Sequence, residues 1–354
     1  MEKLVEIRKT FDELGIEGVL VTDGINRRYL TDFTGSAGTV LISKTEAFLL
    51  VDFRYTSQAN AQTKGFTVKE IDRAIIYEEI ANLAESLGIN KLGFEKQHVS
   101  YHYYSQLSEY VNVDLIPLSG VVEKLRMIKS ESEIAILKKA AEISDAAFSH
   151  ILTVIRPGIT EIEIANELEF HMRKLGASSS SFDMIVASGI RSSLPHGVAT
   201  EKVVEKGDMI TLDFGAYYNG YCSDMTRTIA VGEPNPKLKE IYTIVHGALE
   251  NALSGIKAGM TGKEADALTR DFISEKGYGE YYGHGMGHGI GLYIHEDIFM
   301  NPKCEQLIEE GMVLTVEPGI YIPNLGGVRI EDDILLKKDG IEIITKSNKE
   351  LIVL

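Results

Sequence analysis

The sequence predicts a two-domain chain: a small α/β domain followed by a larger α+β domain built as an internal duplication with a pseudo-twofold axis. Three observations carry this reading. Short apolar runs alternate with helical patterns up to about residue 120. Two strand-like segments, KGDMITLDFGAY and EGMVLTVEPGIY, align on Asp213 and Glu317 and share Gly207/Gly311, Thr211/Thr315, Gly215/Gly319 and Tyr217/Tyr321. Two helix-like segments, IRPGITEIEIANELEFHMRKLGA and IKAGMTGKEADALTRDFISEKGY, match at a fixed offset of 101, including Gly158/Gly259, Thr160/Thr261 and Gly176/Gly277. The helical and strand repeats occur in the same order, and a repeat outranks any local reading in deciding a fold.

In the first domain, GVLVTD (18–23), TVLIS (39–43), AFLLVD (47–52), FTVKEI (66–71) and KLGFE (91–95) are expected strands. Leu4, Ile7, Phe11 and Leu14 form one helical stripe, and residues 77–87 and 100–110 read as further helices. Residues 121–133 form a connector, and the domains are taken as 1–122 and 123–354. Ser130 with Glu133 is a capping box, after which Ile134, Leu137, Ala141, Ser144, Phe148 and Ile151 share one helical face. A long helix therefore opens the second domain near residue 131. Thr160 with Glu163 and Thr261 with Glu264 repeat the capping box, starting a helix at the same place in each copy. Each half then reads as helix, helix, glycine-rich segment, strand with carboxylate, hairpin, strand with carboxylate.

Composition narrows the function classes. A net charge of −16 argues against nucleic acid or anionic lipid as partner, since both select clustered Lys and Arg. Cys222 and Cys304 do not make a disulfide framework, so a reduced, cytoplasmic location is expected. The start, MEKLVEIRKTFDELGIEG, is a charged amphipathic pattern, and no signal peptide or membrane span is expected.

The chemistry lies in the second domain. Asp213 and Asp224 flank AYYNGYCS, in which Asn219-Gly220 is a strong hairpin signal. Glu317 and Glu331 flank YIPNLGG, with Asn324 and Gly326-Gly327 as the turn. An aspartate in an apolar strand is costly to bury as an ion, and four carboxylates drawn together by a pseudo-twofold axis repel one another. Divalent cations are the compensating charge this implies, and oxygen-rich ligation favours Mn²⁺, Mg²⁺, Co²⁺ or a dinuclear Zn²⁺ site. The nitrogen donor comes from GHGMGHGIGLYIHE, which carries His284, His288 and His295. Five glycines between residues 283 and 291 exclude a helical HExxH site, so the segment reads as a tight loop or irregular strand bringing backbone close to a ligand. His196, in SSLPHG, occupies a comparable loop in the first half. The remaining histidines, such as His98, His150 and His246, read as surface or packing residues.

Asp213, Asp224, His288, Glu317 and Glu331, in the contexts TLDFG, SDMTRT, GHGIGL, TVEPGIY and GVRIED, resemble the five-ligand dinuclear site of the pita-bread metallopeptidases. That family includes aminopeptidase P, prolidase and methionine aminopeptidase. NRRYLTDFTGSAGTVLIS and VDFRYTSQA are similar to the creatinase-type N-terminal domain of the first two. The resemblance implies two divalent metal ions per chain, Mn²⁺ ahead of Co²⁺ or Zn²⁺. It implies that Asp224 and Glu331 bridge them, that Asp213 completes one and that His288 with Glu317 completes the other. A hydroxide between the metals would attack the peptide, and Glu317 would relay its proton to the leaving amine. His196, His284 and His295 match the substrate-binding and oxyanion-stabilising histidines, and Arg329 would orient a carboxylate.

The implied activity is hydrolysis of Xaa-Pro bonds at the N-terminus of short proline-containing peptides or in Xaa-Pro dipeptides. A homodimer is expected by the same resemblance. FTGSAG and DFRYTSQA lie slightly closer to aminopeptidase P than to prolidase. The alternatives are a metal-independent creatinase-like C–N hydrolase, which would not need five intact ligands, and a non-catalytic peptide-binding protein on the same scaffold.

Overall fold

The computed structural model describes residues 2–354 and separates into two compact units, one ending at Arg126 and the other beginning at Met127. The first unit is built on a mixed sheet of β1 (Gly18–Val21), β2 (Thr39–Ser43), β3 (Ala47–Val51), β4 (Thr67–Glu70), β5 (Lys91–Glu95) and β6 (Asp114–Leu118). Their order is β4-β3-β2-β1-β5-β6, with β1 antiparallel to β2 and parallel to β5. β1 and β2 are buried at every position, as continuous apolar runs covered on both faces should be. The helices are α1 (Glu2–Lys9), α2 (Phe11–Leu14), α3 (Gly24–Thr31), α4 (Thr56–Gln62), α5 (Ile76–Ser86), α6 (Tyr101–Tyr110) and α7 (Val121–Met127).

Several elements differ from the sequence expectation. The single N-terminal stripe breaks at Thr10, whose hydroxyl donates to the Ile7 carbonyl, and yields two helices. β6 escapes the pattern because it is a half-exposed edge strand containing Pro117, which only an edge tolerates. α3 starts on Asp23, whose carboxylate accepts the N–H groups of Ile25 and Asn26. The connector between 121 and 133 is itself helical over α7.

In the second unit the duplication is visible as topology. The first half runs α8 (Glu131–Ile151), α9 (Glu161–Lys174), β7 (Ser179–Ser180), β8 (Ile185–Ser188), β9 (Met209–Phe214), the hairpin β10 (Ala216–Tyr218)/β11 (Tyr221–Cys222) and β12 (Met225–Ala230). The second runs α10 (Pro236–Gly255), α11 (Gly262–Glu275), β13 (Gly287–Gly289), β14 (Glu296–Met300), β15 (Val313–Val316), the hairpin β16 (Gly319–Ile322)/β17 (Gly326–Arg329), β18 (Asp332–Lys337) and β19 (Gly340–Ile343). The sheets are β12-β9-β8 and β14-β13-β15-β18-β19, so β9 and β15 hold corresponding places. All three expected capping boxes are formed, at Ser130, Thr160 and Thr261. Each helix pair packs its own core, with Phe148 and Leu168 against Leu212 in the first half and Val245 and Ile273 with Leu314 and Ile334 in the second.

Two details of the strands are corrected. Asp213 lies inside β9, but Asp224 precedes β12, Glu317 follows β15 and Glu331 precedes β18, so three of the four carboxylates sit at breaks between strands. Gly326 and Gly327 open β17 instead of forming the turn, because a Cβ at Gly327 would lie 2.4 Å from the Ser192 carbonyl oxygen. The first hairpin turns on Asn219 (φ 48°) and Gly220 (φ 90°), the left-handed pair that its sequence called for.

Candidate metal centre and catalytic cleft

Where the two halves of the second unit meet, a cleft of about 490 Å³ opens. It is lined by Asp213, Asp224, His288, Glu317 and Glu331, and by His196, His284, His295 and Arg329, so every site residue expected from the sequence faces the same space. Asp213, Asp224 and Glu331 each offer an oxygen within 4.8 Å of the others. His288 Nε2 lies 3.5 Å from Glu317 Oε1 and 3.8 Å from Asp224 Oδ2.

The carboxylates are braced crosswise. Two residues after Asp224, Thr226 donates its hydroxyl to Glu331 Oε2 at 2.6 Å. Two residues after Glu331, Asp333 accepts the Asp224 backbone N–H at 2.9 Å. Arg329, from the second half, donates to Asp213 of the first, to the Tyr321 hydroxyl at 2.7 Å and to Thr226 Oγ1 at 3.1 Å. Thr315 donates to Glu317 Oε1 at 3.2 Å and accepts the His288 N–H at 3.0 Å.

Electrostatics makes this centre incomplete as protein alone. Asp213 Oδ1, Asp224 Oδ1, Glu331 Oε1 and Asp333 Oδ1 are buried with no hydrogen-bond partner among the described residues. Native structures rarely leave such groups orphaned unless an ion or solvent completes them. Burial, and then repulsion from Glu331 and Asp213, raises the Asp224 carboxyl well above its usual range. Burial with Glu317 and Asp213 does the same to Glu331. Glu317 keeps 19% of its side chain exposed, yet desolvation pushes it up to about 7 against the pull of Arg329.

Burial also pushes His288 down to about 4. Its Nδ1 lies 2.9 Å from the Gly289 carbonyl and so donates there, leaving an unprotonated Nε2 facing the carboxylates. Four carboxylates and one such nitrogen are a donor set suited to divalent cations that prefer oxygen. The residues fit a metal centre.

The histidines around the cleft differ from one another. His284 is pushed to about 4 by burial and then by Arg329, donates from Nδ1 to the Gly285 carbonyl and accepts the Tyr321 hydroxyl proton at Nε2, 3.0 Å away. His295 packs edge-on to His288 with ring centroids 4.6 Å apart. His196 and His295 are both exposed toward the cleft.

The glycine-rich segment approaches backbone as well as the cleft. It forms β13, between β14 and β15 in its sheet, and a Cβ on Gly287 or Gly289 would lie 2.1 Å from the Thr315 carbonyl or 2.3 Å from the Asp297 carbonyl. The glycines admit neighbouring strands, which holds His288 tight against β15, and Gly285 and Gly287 also line the cleft.

Sequence reasoning missed Thr226, Thr315, Tyr321 and Asp333. The repeats could have flagged two of them, Tyr321 as the partner of Tyr217 and Thr315 as the partner of Thr211, while Thr226 and Asp333 show their roles only across the joined halves. His98, read as a surface residue, lies between Asp23 and Glu123, and His150 is paired with Glu167.

A duplicated half-module that converges carboxylates and an imidazole on one cleft defines a metal-dependent hydrolase. The chain belongs to metallopeptidase family M24, which matches residues 135–338, and residues 3–128 match the creatinase/prolidase N-terminal domain. Its catalytic domain accordingly has the pita-bread fold. An Xaa-Pro dipeptidase from Bacillus anthracis is 60% identical, with a TM-score of 0.98 over 100% of this chain and 99% of that one. The uncharacterized peptidase YqhT of Bacillus subtilis is 56% identical over 99% of this chain and all of the relative. An X-Pro aminopeptidase from Thermotoga maritima is 42% identical, with a TM-score of 0.91 over 98% of this chain and 100% of that one. Among the described residues no helix is long and apolar enough to cross a membrane.

Proposed function

We propose that this protein is a two-metal exopeptidase that hydrolyses Xaa-Pro dipeptides. The observation that carries the reading is the set of orphaned buried oxygens on Asp213, Asp224 and Glu331 beside the neutral His288. In this reading Asp224 and Glu331 would serve both cations, and Asp213, His288 and Glu317 would complete their ligand sets. When bound, such cations supply an acidified water and polarise the scissile carbonyl.

The chain's own residues supply the remainder. Glu317 would carry a proton from the attacking water to the departing proline nitrogen. Arg329 holds Asp213 and Tyr321 in place from below. His196, His284 and His295 bind the substrate carboxylate and the developing oxyanion. In the resting cleft His284 Nε2 is engaged by Tyr321, so His295 and His196 are the histidines ready to meet substrate. An imide bond has no N–H and a fixed φ, which suits recognition by a closed pocket over recognition by strand pairing.

The dipeptide reading is placed ahead of longer peptides because a dipeptidase stands among the relatives at 60% identity. The longer-peptide reading keeps support from FTGSAG, DFRYTSQA and the Thermotoga maritima aminopeptidase. The proposal includes Mn²⁺ ahead of Co²⁺ or Zn²⁺, a cytoplasmic homodimer, and a catalytic role for 123–354 with 1–122 as the accessory domain.

The test is hydrolysis of Ala-Pro and Ala-Pro-Ala after reconstitution with each metal. Dipeptide turnover that requires added metal supports the reading. Turnover of Ala-Pro-Ala alone would replace it with the aminopeptidase, and full activity in chelator would overturn the metal centre.

A further inference from the structure

Each of the three histidines around the cleft sits on a loop whose backbone is tied to a buried carboxylate, and each carboxylate is paired with its own cation. For His284 the carboxylate is Asp266 on α11, which is 1% exposed and accepts the Met286 N–H at 2.9 Å. Arg270, one turn later, grips Asp266 with two bonds of 2.6 and 2.9 Å and donates to the His284 carbonyl at 2.7 Å and the Tyr282 carbonyl at 3.2 Å. The pair therefore brackets His284 from both sides along the chain.

For His295 the carboxylate is its neighbour Glu296, which accepts the Tyr293 N–H at 3.2 Å. Its cation is Lys129, 3.2 Å away, and the two side chains are only 4% and 2% exposed. Glu296 also packs on Gly291, where a Cβ would lie 2.7 Å from its Oε2. For His196 the carboxylate is Glu161 on α9, fully buried, which accepts the N–H of Ser188 at 2.7 Å and of Thr200 at 3.1 Å, closing the loop at both ends. Its cation is Arg191, which also donates to the Val198 carbonyl at 2.8 Å.

Charge pairs with a buried carboxylate are poor sources of net stability compared with apolar packing of equal volume, so three of them in this arrangement, one buried on both sides and two with a quarter-exposed arginine, call for another explanation. Loops carry functional groups imprecisely unless surrounding bonds fix them, and a displacement of about 1 Å near the reacting atoms can cost about 10²-fold in rate. His196 and His295 need such fixing most, since neither ring has a hydrogen bond to another described residue, whereas His284 is held through both ring nitrogens.

We propose that Asp266–Arg270, Glu296–Lys129 and Glu161–Arg191 are positioning pairs, each setting the place of one cleft histidine. None of them touches substrate; each acts through its own imidazole. The inference rests on the functional reading above, in that the histidines must matter to turnover.

The experiment is a set of double-mutant cycles on the Mn²⁺-loaded enzyme with Ala-Pro, reading kcat, KM and metal content. Arg270→Met and Lys129→Met are each combined with His284→Ala and with His295→Ala. Each cation variant should lower kcat by about 10-fold or more, with metal content unchanged, and the loss should shrink below about 2-fold only in the background lacking its own histidine. In the other background the full factor should persist. Equal losses in both backgrounds, or loss of metal with loss of rate, would overturn the pairing. Should a Met variant fail to fold, Arg270→Lys and Lys129→Arg keep the charge, alter the fork and carry the same cycles. Wild-type turnover in both histidine variants would instead sink the functional reading on which the inference stands.

Discussion

The two halves of the catalytic domain share a topology but contribute unequally to the cleft. The first supplies Asp213 from within β9, Asp224 before β12 and a single histidine, His196. The second supplies Glu317 and Glu331 from strand breaks together with His284, His288 and His295. The carboxylates follow the repeat, whereas the nitrogen donors do not. A duplicated acidic framework has been fitted on one side with an imidazole-bearing strand, and the glycines of β13 let that strand press against β15.

The comparison breaks most sharply at the second carboxylate of each copy. Asp224→Asn and Glu331→Gln should each reduce Ala-Pro turnover by at least about 10³-fold while leaving circular dichroism unchanged, a size expected for loss of a charge central to the transition state. Unequal losses, with one variant near wild type, would show that the copies are not equivalent at the centre.

The histidines should then separate the halves. His288→Ala should lower bound metal as read by mass spectrometry. His196→Ala should keep both ions and lower kcat by about 10²-fold, the usual cost of a missing oxyanion donor.

A pH series sharpens the same contrast in the metal-free protein. Glu317 is raised to about 7, and Asp224 and Glu331 are raised well above their usual values, all chiefly by burial. A carboxyl whose folded pKa exceeds its unfolded value contributes stability that is complete below the unfolded pKa and is lost as pH rises through the folded one. For Glu317 that window runs from the ordinary 4.5 to about 7. The Tm of chelated protein should therefore fall across this range, and the metal-loaded protein should not show that fall. Parallel curves would mean that the cations do not replace those protons.

The smallest effect compares two equivalent glycines. A Cβ at Gly215 would lie 1.7 Å from the Ser223 carbonyl, a backbone atom, whereas at Gly319 it would meet the Tyr321 hydroxyl at 2.4 Å. Gly215→Ala should cost about 1–3 kcal/mol in urea unfolding, the usual range for overpacking. Gly319→Ala should cost less stability and more kcat, since it displaces the partner of Arg329 and His284.

What could be read in the sequence follows from what carries a local signature. The doubled strands exposed Asp213, Asp224, Glu317 and Glu331, and the resemblance named His288 among nine histidines. Capping boxes placed α8, α9 and α11 because Ser or Thr with Glu three residues on is a bonding pattern legible in one dimension. Asp266, Glu161 and Glu296 carry no such mark. In a chain with 52 acidic residues, a helical aspartate that will be buried looks like one that will be solvated. Thr226 and Asp333 gain meaning only once the halves are docked, and β6 is hidden by its proline.

The exchange of hydroxyl, amide and guanidinium bonds from each half to the other half's acids has a mechanical consequence. Glu331 and Asp213 are each held by a residue of the opposite half, while Glu317 is held by Thr315 of its own, so the spacing of the candidate centre records how the halves are seated on each other. A slip along that seam would reach the acids before it disturbed either helical core, which makes the centre the most sensitive gauge of the joint.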